Sequence, residues 1–347
     1  MSVGFPELPL HPEGRSPELP QSDRGAIAAA LAASKVGQGE LVAAVDLGTN
    51  TALLVIAKVE GGGSVIVEEH GATPRLGEGL ARTGTLEDVA LERTLEVLRH
   101  FNERMDINGV AASHRRFVGT AILRRAKDAQ RLITRASEEL GILLEVLSEE
   151  EEARFAYEAA IAAGAKETSV VIDVGGGSTE LAWDAGVGRA SIPIGAVVLT
   201  ESWVGLGGGA PLLAGGWRGL CAAVESAVSE LPSGVAVGRE CVLVGGAAVN
   251  FACFDQSLEV FDVRLAEGWE LDVSSLELAR DRLASMSLED RYELPVEPGR
   301  AEILPAGLAC FAGVLRQIGA ERARVTTRGL RHSLVAELAL RMSGVAG

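Results

Sequence analysis

An α/β protein of two similar halves is predicted by three observations. Apolar runs that end in Asp, one apolar residue and Gly occur twice, in AVDLGTNT (44–51) and VIDVGGGST (171–179), with Asp46 and Asp173 lying 127 residues apart. Strand-like runs alternate with helical patterns, and the pattern is entered twice. The length of 347 residues suits about two domains, each able to bury a core.

The elements follow in order. Five of the twelve prolines fall in residues 1–22 among Glu, Ser and Gly, a composition that cannot build a core, so residues 1–39 read as a disordered tail. GAIAAALAAS (25–34) imitates a signal-peptide apolar region, but what precedes it is acidic and proline-rich rather than basic, and targeting is not expected. LVAAVD (41–46), TALLVIAKV (51–59) and SVIVEE after the GGG turn (61–63) read as a strand meander. A helix fits 86–104, with Thr85 as N-cap and Leu91, Leu95, Leu98 and Phe101 on one face. RRFVGTAI (115–122) reads as a strand, 126–140 as a helix closed by Gly141, ILLEVLS (142–148) as a strand and 149–163 as a helix. TSVVIDV (168–174) then restarts the pattern. The expected domains are 40–160 and 161–330, followed by a C-terminal helix in 331–347 that packs on the first domain.

Composition narrows the function. An apolar share of 47% and a charged share of 23% describe a folded protein, and no run approaches the ~18 apolar residues of a membrane helix. Cys221, Cys241, Cys253 and Cys310 form no CxxC pair and read as reduced thiols in a cytoplasmic setting. The five histidines form no zinc-binding pattern, so any metal is a hard ion held by oxygens. The 32 Lys and Arg against 48 Asp and Glu give a net charge of −16, which opposes a polyanionic partner. Locally the balance reverses: residues 113–135 carry Arg115, Arg116, Arg124, Arg125, Lys127, Arg131 and Arg135 against Asp128 alone.

The repeated loops have a chemistry of their own. Glycine lets the backbone approach a ligand closely, so successive N–H groups of Gly48, Thr49, Asn50 and Thr51, and of Gly175, Gly176, Gly177, Ser178 and Thr179, can cradle phosphate oxygens. An Asp ending the strand beside such a loop can hold Mg²⁺ against those oxygens. Either loop alone could be a simple glycine turn. Two copies in one strand context favour a phosphate chain gripped from both sides.

These segments resemble the exopolyphosphatase/guanosine-pentaphosphate phosphatase family, within the actin-like ATPase superfold. The resemblance runs from about Leu41 to Leu338 through DLGTNT (46–51), PRLGEGL (74–80), TAILRRAKD (120–128), SEEEEAR (148–154), DVGGGSTEL (173–181), PIGAVVLTE (193–201), GRAEILPAG (299–307) and GLRHSL (329–334). It implies two ribonuclease-H-like domains with an interdomain cleft. The implied activity is release of terminal orthophosphate from inorganic polyphosphate or from guanosine pentaphosphate, with Mg²⁺ or another hard divalent cation as cofactor. It assigns the water-activating base to the first Glu of EEAR, Glu151, although Ser148 and Glu151 on spacing alone form a helix capping box. It assigns metal binding to Asp173, with Asp46 and Glu180 nearby (Glu180 equally reads as a plain polar strand position), and phosphate contact to Arg124 and Arg75. The sequence departs from the family pattern at Glu149, Asp128, Ala247, His332 and Ser333. Neither a nucleic acid nor a membrane is an expected partner, and a homodimer is left open. A sensor that binds the phosphate chain without turnover is the alternative from another class.

Overall fold

The computed structural model describes residues 40–61, 63–204 and 214–343; the expected tail at 1–39 lies outside them. The first sheet is built from β1 (Leu41–Leu47), β2 (Ala52–Glu60) and β3 (Gly63–Ala72). After α1 (Leu80–Thr83) and α2 (Asp88–Ile107) it gains β4 (Arg115–Gly119) and, past α3 (Ala121–Arg125) and α4 (Gln130–Leu140), β5 (Leu144–Val146). Helix α5 (Glu149–Ala162) leads to β6 (Val170–Val174), β7 (Thr179–Trp183) and β8 (Gly188–Ile192) of the second sheet. Then come α6 (Ala196–Trp203), α7 (Ala214–Val228), β9 (Cys241–Val244), α8 (Gly246–Asp255), β10 (Glu270–Asp272), α9 (Val273–Ser285), α10 (Leu288–Tyr292), α11 (Leu304–Ile318), β11 (Arg322–Val325) and α12 (Leu330–Met342).

The sheet orders are β3-β2-β1-β4-β5 and β10-β11-β9-β6-β7-β8. Without β10, the second repeats the first strand for strand: an antiparallel meander, then parallel strands added beside its first member. The result is a two-lobed α/β architecture, and the sequence repeat lies at the same place in each lobe.

Side-chain alternation decides what each strand presents to which helix. In β1, Ala43, Val45 and Leu47 pack into the core under α2 and α4, whereas Val42 and Ala44 pack with Phe155 of α5 and Leu334 and Val335 of α12. Asp46 is the next residue on this second face. In β6, Val170, Ile172 and Val174 enter the second lobe's main core, while Val171 packs with Ala153, Tyr157 and Ala160 of α5. Asp173 is the next residue on that face. Helix α5 therefore covers the Asp46 face of one sheet and the Asp173 face of the other, and its N-terminus arrives where both strands end.

Several boundaries differ from expectation, and two of them bear on the site. Thr85 does not cap α2. The Leu86 N–H donates to Asp128 Oδ1 at 2.9 Å and Thr83 Oγ1 donates to the Thr85 carbonyl at 2.9 Å, pinning this turn to the loop before α4, so that α2 starts at Asp88. Asp128, an added acid in the sequence, is thereby a structural tie. The strand expected over 115–122 stops at Gly119, opposite the end of β1 at Leu47, and the chain winds into α3. That turn buries Ile122 and Leu123 and brings Arg124 and Arg125 to the lobe boundary. Among the described residues no helix is long and apolar enough to cross a membrane, and all four cysteines are free.

Candidate active site

The two loops close by the same hydrogen bond: Gly48 N–H donates to the Thr51 carbonyl (2.9 Å) and Gly175 N–H to the Ser178 carbonyl (3.0 Å). Their other carbonyls are turned outward. Arg75 and Gly77 of PRLGEGL donate to Asn50 and Thr49, and Ala196, Val197 and Val198 of PIGAVVLTE donate to Gly175 and Gly176. The N–H groups of Thr49, Asn50, Gly176 and Gly177 find no backbone acceptor among the described residues. Each loop therefore keeps backbone donors without a backbone acceptor beside the other lobe, the chemistry that receives an anion. The loops touch directly: a methyl group on Gly177 would lie 2.8 Å from Thr49 Oγ1, and one on Gly176 would lie 2.9 Å from Thr49 Cβ.

Four carboxylates stand behind the loops. Asp173 lies directly opposite Glu180 across the β6–β7 pair, so both side chains project from one face of the sheet. Burial and Glu152 push Asp173 up to about 7, and burial and Asp173 push Asp46 up to about 7. Glu180 is raised well above its ordinary value by burial, Glu152 and Asp173. Burial, with Asp46 adding to it against the opposing Arg124, pushes Glu152 up to about 7.

Glu152, not Glu151, joins this group. Glu151 Oε2 accepts from the Ser148 N–H and from Ser148 Oγ, each at 2.9 Å, and the Glu151 N–H donates back to Ser148 Oγ at 3.2 Å. The capping box folds Glu151 onto its own helix end, and the Ser148 backbone and hydroxyl bonds lower its pKa. Successive helix residues point about 100° apart, so fixing Glu151 on the cap turns Glu152 inward, where Arg124 Nη1 donates to its Oε2 at 2.6 Å. Arg124 thus serves Glu152 and also the Leu147 carbonyl at 2.6 Å. Glu149 is exposed in the first turn, apart from the cluster.

Arg75 pairs across the lobes with buried Glu302 at 3.2 Å, beside a cavity of about 10 Å³ lined by Thr49, Asn50, Glu78, Val197 and Ile303. That is room for about one water. Asn50 Nδ2 donates to the Gly299 carbonyl at 3.3 Å, and Glu201 accepts from Gly79 N–H at 2.7 Å. Arg300 donates through Nη2 to Thr51 Oγ1 at 2.8 Å. Its guanidinium fills the space over Gly246, where a methyl group would sit 2.3 Å from Cζ.

Sequence reasoning missed Glu152, Arg300, Glu302 and Arg331. The signal for Glu152 was present: if Ser148 and Glu151 form a capping box, the carboxylate free to face inward is the next one. Arg331 showed no such signal, because only the packing of α12 on β1 brings it near Asp46.

The described residues contain no ready-made cage of three or more His, Cys, Asp or Glu side chains. The site nevertheless suits a hard divalent ion that keeps its own waters, because Asp173 and Glu180 oppose each other and Asp46 Oδ1 is buried without a partner. The buried side-chain atoms without a hydrogen-bond partner among the described residues are this oxygen, Arg300 Nε, which lies 3.6 Å from Glu297 Oε2, and Arg331 Nε. All three belong to residues around the carboxylates, where a bound ligand would satisfy them.

The sequence profile of the Ppx/GppA phosphatase family matches residues 55–342. A guanosine-5'-triphosphate,3'-diphosphate pyrophosphatase from Photobacterium profundum is 28% identical over 311 residues, 87% of this chain and 60% of the relative, so the chain spans about 60% of that relative's length. A crystal structure of the Aquifex aeolicus Ppx/GppA family member is similar at 27% identity and TM-score 0.71, covering 88% of this chain and 99% of that one. An exopolyphosphatase from Cytophaga hutchinsonii shares the fold at 19% identity and TM-score 0.73, covering 86% of this chain and 98% of that one. The chain belongs to the Ppx/GppA phosphatase family.

Proposed function

We propose that the protein hydrolyses the terminal phosphoanhydride bond of inorganic polyphosphate, with Glu152 as general base. The observation that carries this reading is the convergence of a buried carboxylate titrating near neutrality with two facing sets of free loop N–H donors. A base poised near 7 is matched to deprotonating water at physiological pH, whereas Glu151 is held below the ordinary carboxylate range by its cap. Glu152 takes a proton from water as the water oxygen attacks the terminal phosphorus. The bond to the bridging oxygen breaks, orthophosphate is released and the chain leaves one phosphate shorter. The loops of residues 48–51 and 175–179 hold the phosphate oxygens throughout. Asp173, with Glu180 and Asp46, would hold Mg²⁺; its chemistry is to neutralise charge on the phosphate oxygens. The lobes must part to admit a chain, since Thr49 touches Gly176 and Gly177 when they are closed.

Guanosine pentaphosphate is the second reading, favoured by similarity to the Photobacterium profundum enzyme. The test is phosphate release from both substrates in Mg²⁺, comparing wild type with Glu152→Gln and Glu151→Gln. Glu152→Gln should lower the rate about 10²–10⁴-fold, and Glu151→Gln should stay within a few-fold of wild type. The opposite ranking, or no release by wild type, would remove this assignment.

A further inference from the structure

The seven cations between residues 113 and 135 are the strongest charge feature of the sequence. Five of them are neutralised within the fold. Arg115 pairs with Asp106, Arg116 with Glu145 and Glu337, Arg124 with Glu152, Arg131 with Asp88 and Asp128, and Arg135 with Glu92 and Glu139. Lys127 runs alongside Gly84 of its own lobe. Arg125 is different. It ends α3 in the first lobe, is exposed to solvent, and crosses to the second, where Nη1 donates to the Gly177 carbonyl at 2.6 Å. No carboxylate among the described residues pairs with it, and its other N–H groups have no acceptor there.

A neutral carbonyl is a poor partner for a guanidinium, which binds phosphate oxygens bidentately with charge on both sides. This one rests on the loop whose Gly176 and Gly177 N–H groups have no backbone acceptor among the described residues. We infer that Arg125 is a phosphate-binding residue, contacting from the first lobe the phosphate held by the Gly175–Thr179 loop of the second. The inference rests on the phosphohydrolase reading for its substrate class, a linear phosphate chain. It adds Arg125 to the phosphate contacts that the sequence assigns to Arg124 and Arg75, with Arg124 also holding Glu152. Burial of part of the side chain lowers its pKa without any offsetting acid, in keeping with a cation whose counter-charge arrives with the substrate.

The experiment is calorimetric binding of inorganic tripolyphosphate to the full chain carrying Glu152→Gln, alone and with Arg125→Gln or Arg125→Lys, over a range of salt. Arg125→Gln should weaken binding about 10–100-fold and reduce the slope of log Kd against log salt by about one. Arg125→Lys, which keeps the charge but not the fork, should fall between. Thermal unfolding should barely move. Unchanged affinity and salt slope with lower thermal stability would make Arg125 a tie between the lobes and overturn the inference alone. Wild-type binding without turnover would remove the hydrolase and leave Arg125 standing, and no binding by wild type would overturn both.

Discussion

The two glycine loops close with the same turn but differ in what faces their aspartates. Opposite Asp46 in the β1–β2 register stands Leu53, and opposite Asp173 in the β6–β7 register stands Glu180. Like charges directly opposite on one face repel, so the second lobe carries a carboxylate pair that needs a proton or a cation. The first lobe carries a single acid within reach of Arg331. The repeat therefore gives two similar loops and only one facing carboxylate pair, the proposed cation seat. The proposed base belongs to neither loop: α5 leaves the first sheet, packs on the second and delivers Glu152 between them.

If this asymmetry is functional, the two aspartates should not be equivalent. Asp173→Asn should reduce phosphate release about a hundredfold or more and raise the divalent cation concentration needed for half-maximal rate. Asp46→Asn should affect the cation requirement less. Equal cation responses in the two variants would dissolve the distinction drawn between the lobes.

A smaller effect is expected in stability. Asp46 and Asp173 have folded-state pKa values of about 7, above the 3.8 of the free side chain. The folded state therefore holds more protons than the unfolded chain between those values, and the contribution of these groups is fully present below pH 3.8 and lost as pH rises through about 7. Thermal unfolding followed with and without Mg²⁺ should show a stabilisation by the cation that grows across this window. A Mg²⁺ effect equal at pH 5 and pH 8 would contradict the cation seat. The smallest effect belongs to Glu151→Ala, which removes one half of the capping box. It should cost about 0.5–1 kcal/mol, a few degrees or less in Tm, with little change in kcat.

The charge argument shows where one-dimensional reading stops. The arginine-rich stretch read as a basic patch, but residues distant in sequence, such as Glu337 for Arg116 and Glu92 for Arg135, neutralise most of it. A sum over neighbours in sequence cannot see a partner brought by folding.

By itself the sequence determined the two-lobed α/β class, the strands that end in Asp46 and Asp173, and the loops that follow them. Those depend on local alternation and on glycine at fixed offsets, which short segments encode. The same local information contained the Ser148–Glu151 cap. Which arginine is left without an acid, that Glu152 reaches Asp46 and Asp173, and which strand residue opposes each aspartate were decided by tertiary structure. Each depends on the register of a hairpin, on the packing of a helix face against a strand distant in sequence, or on an ion pair formed across that packing.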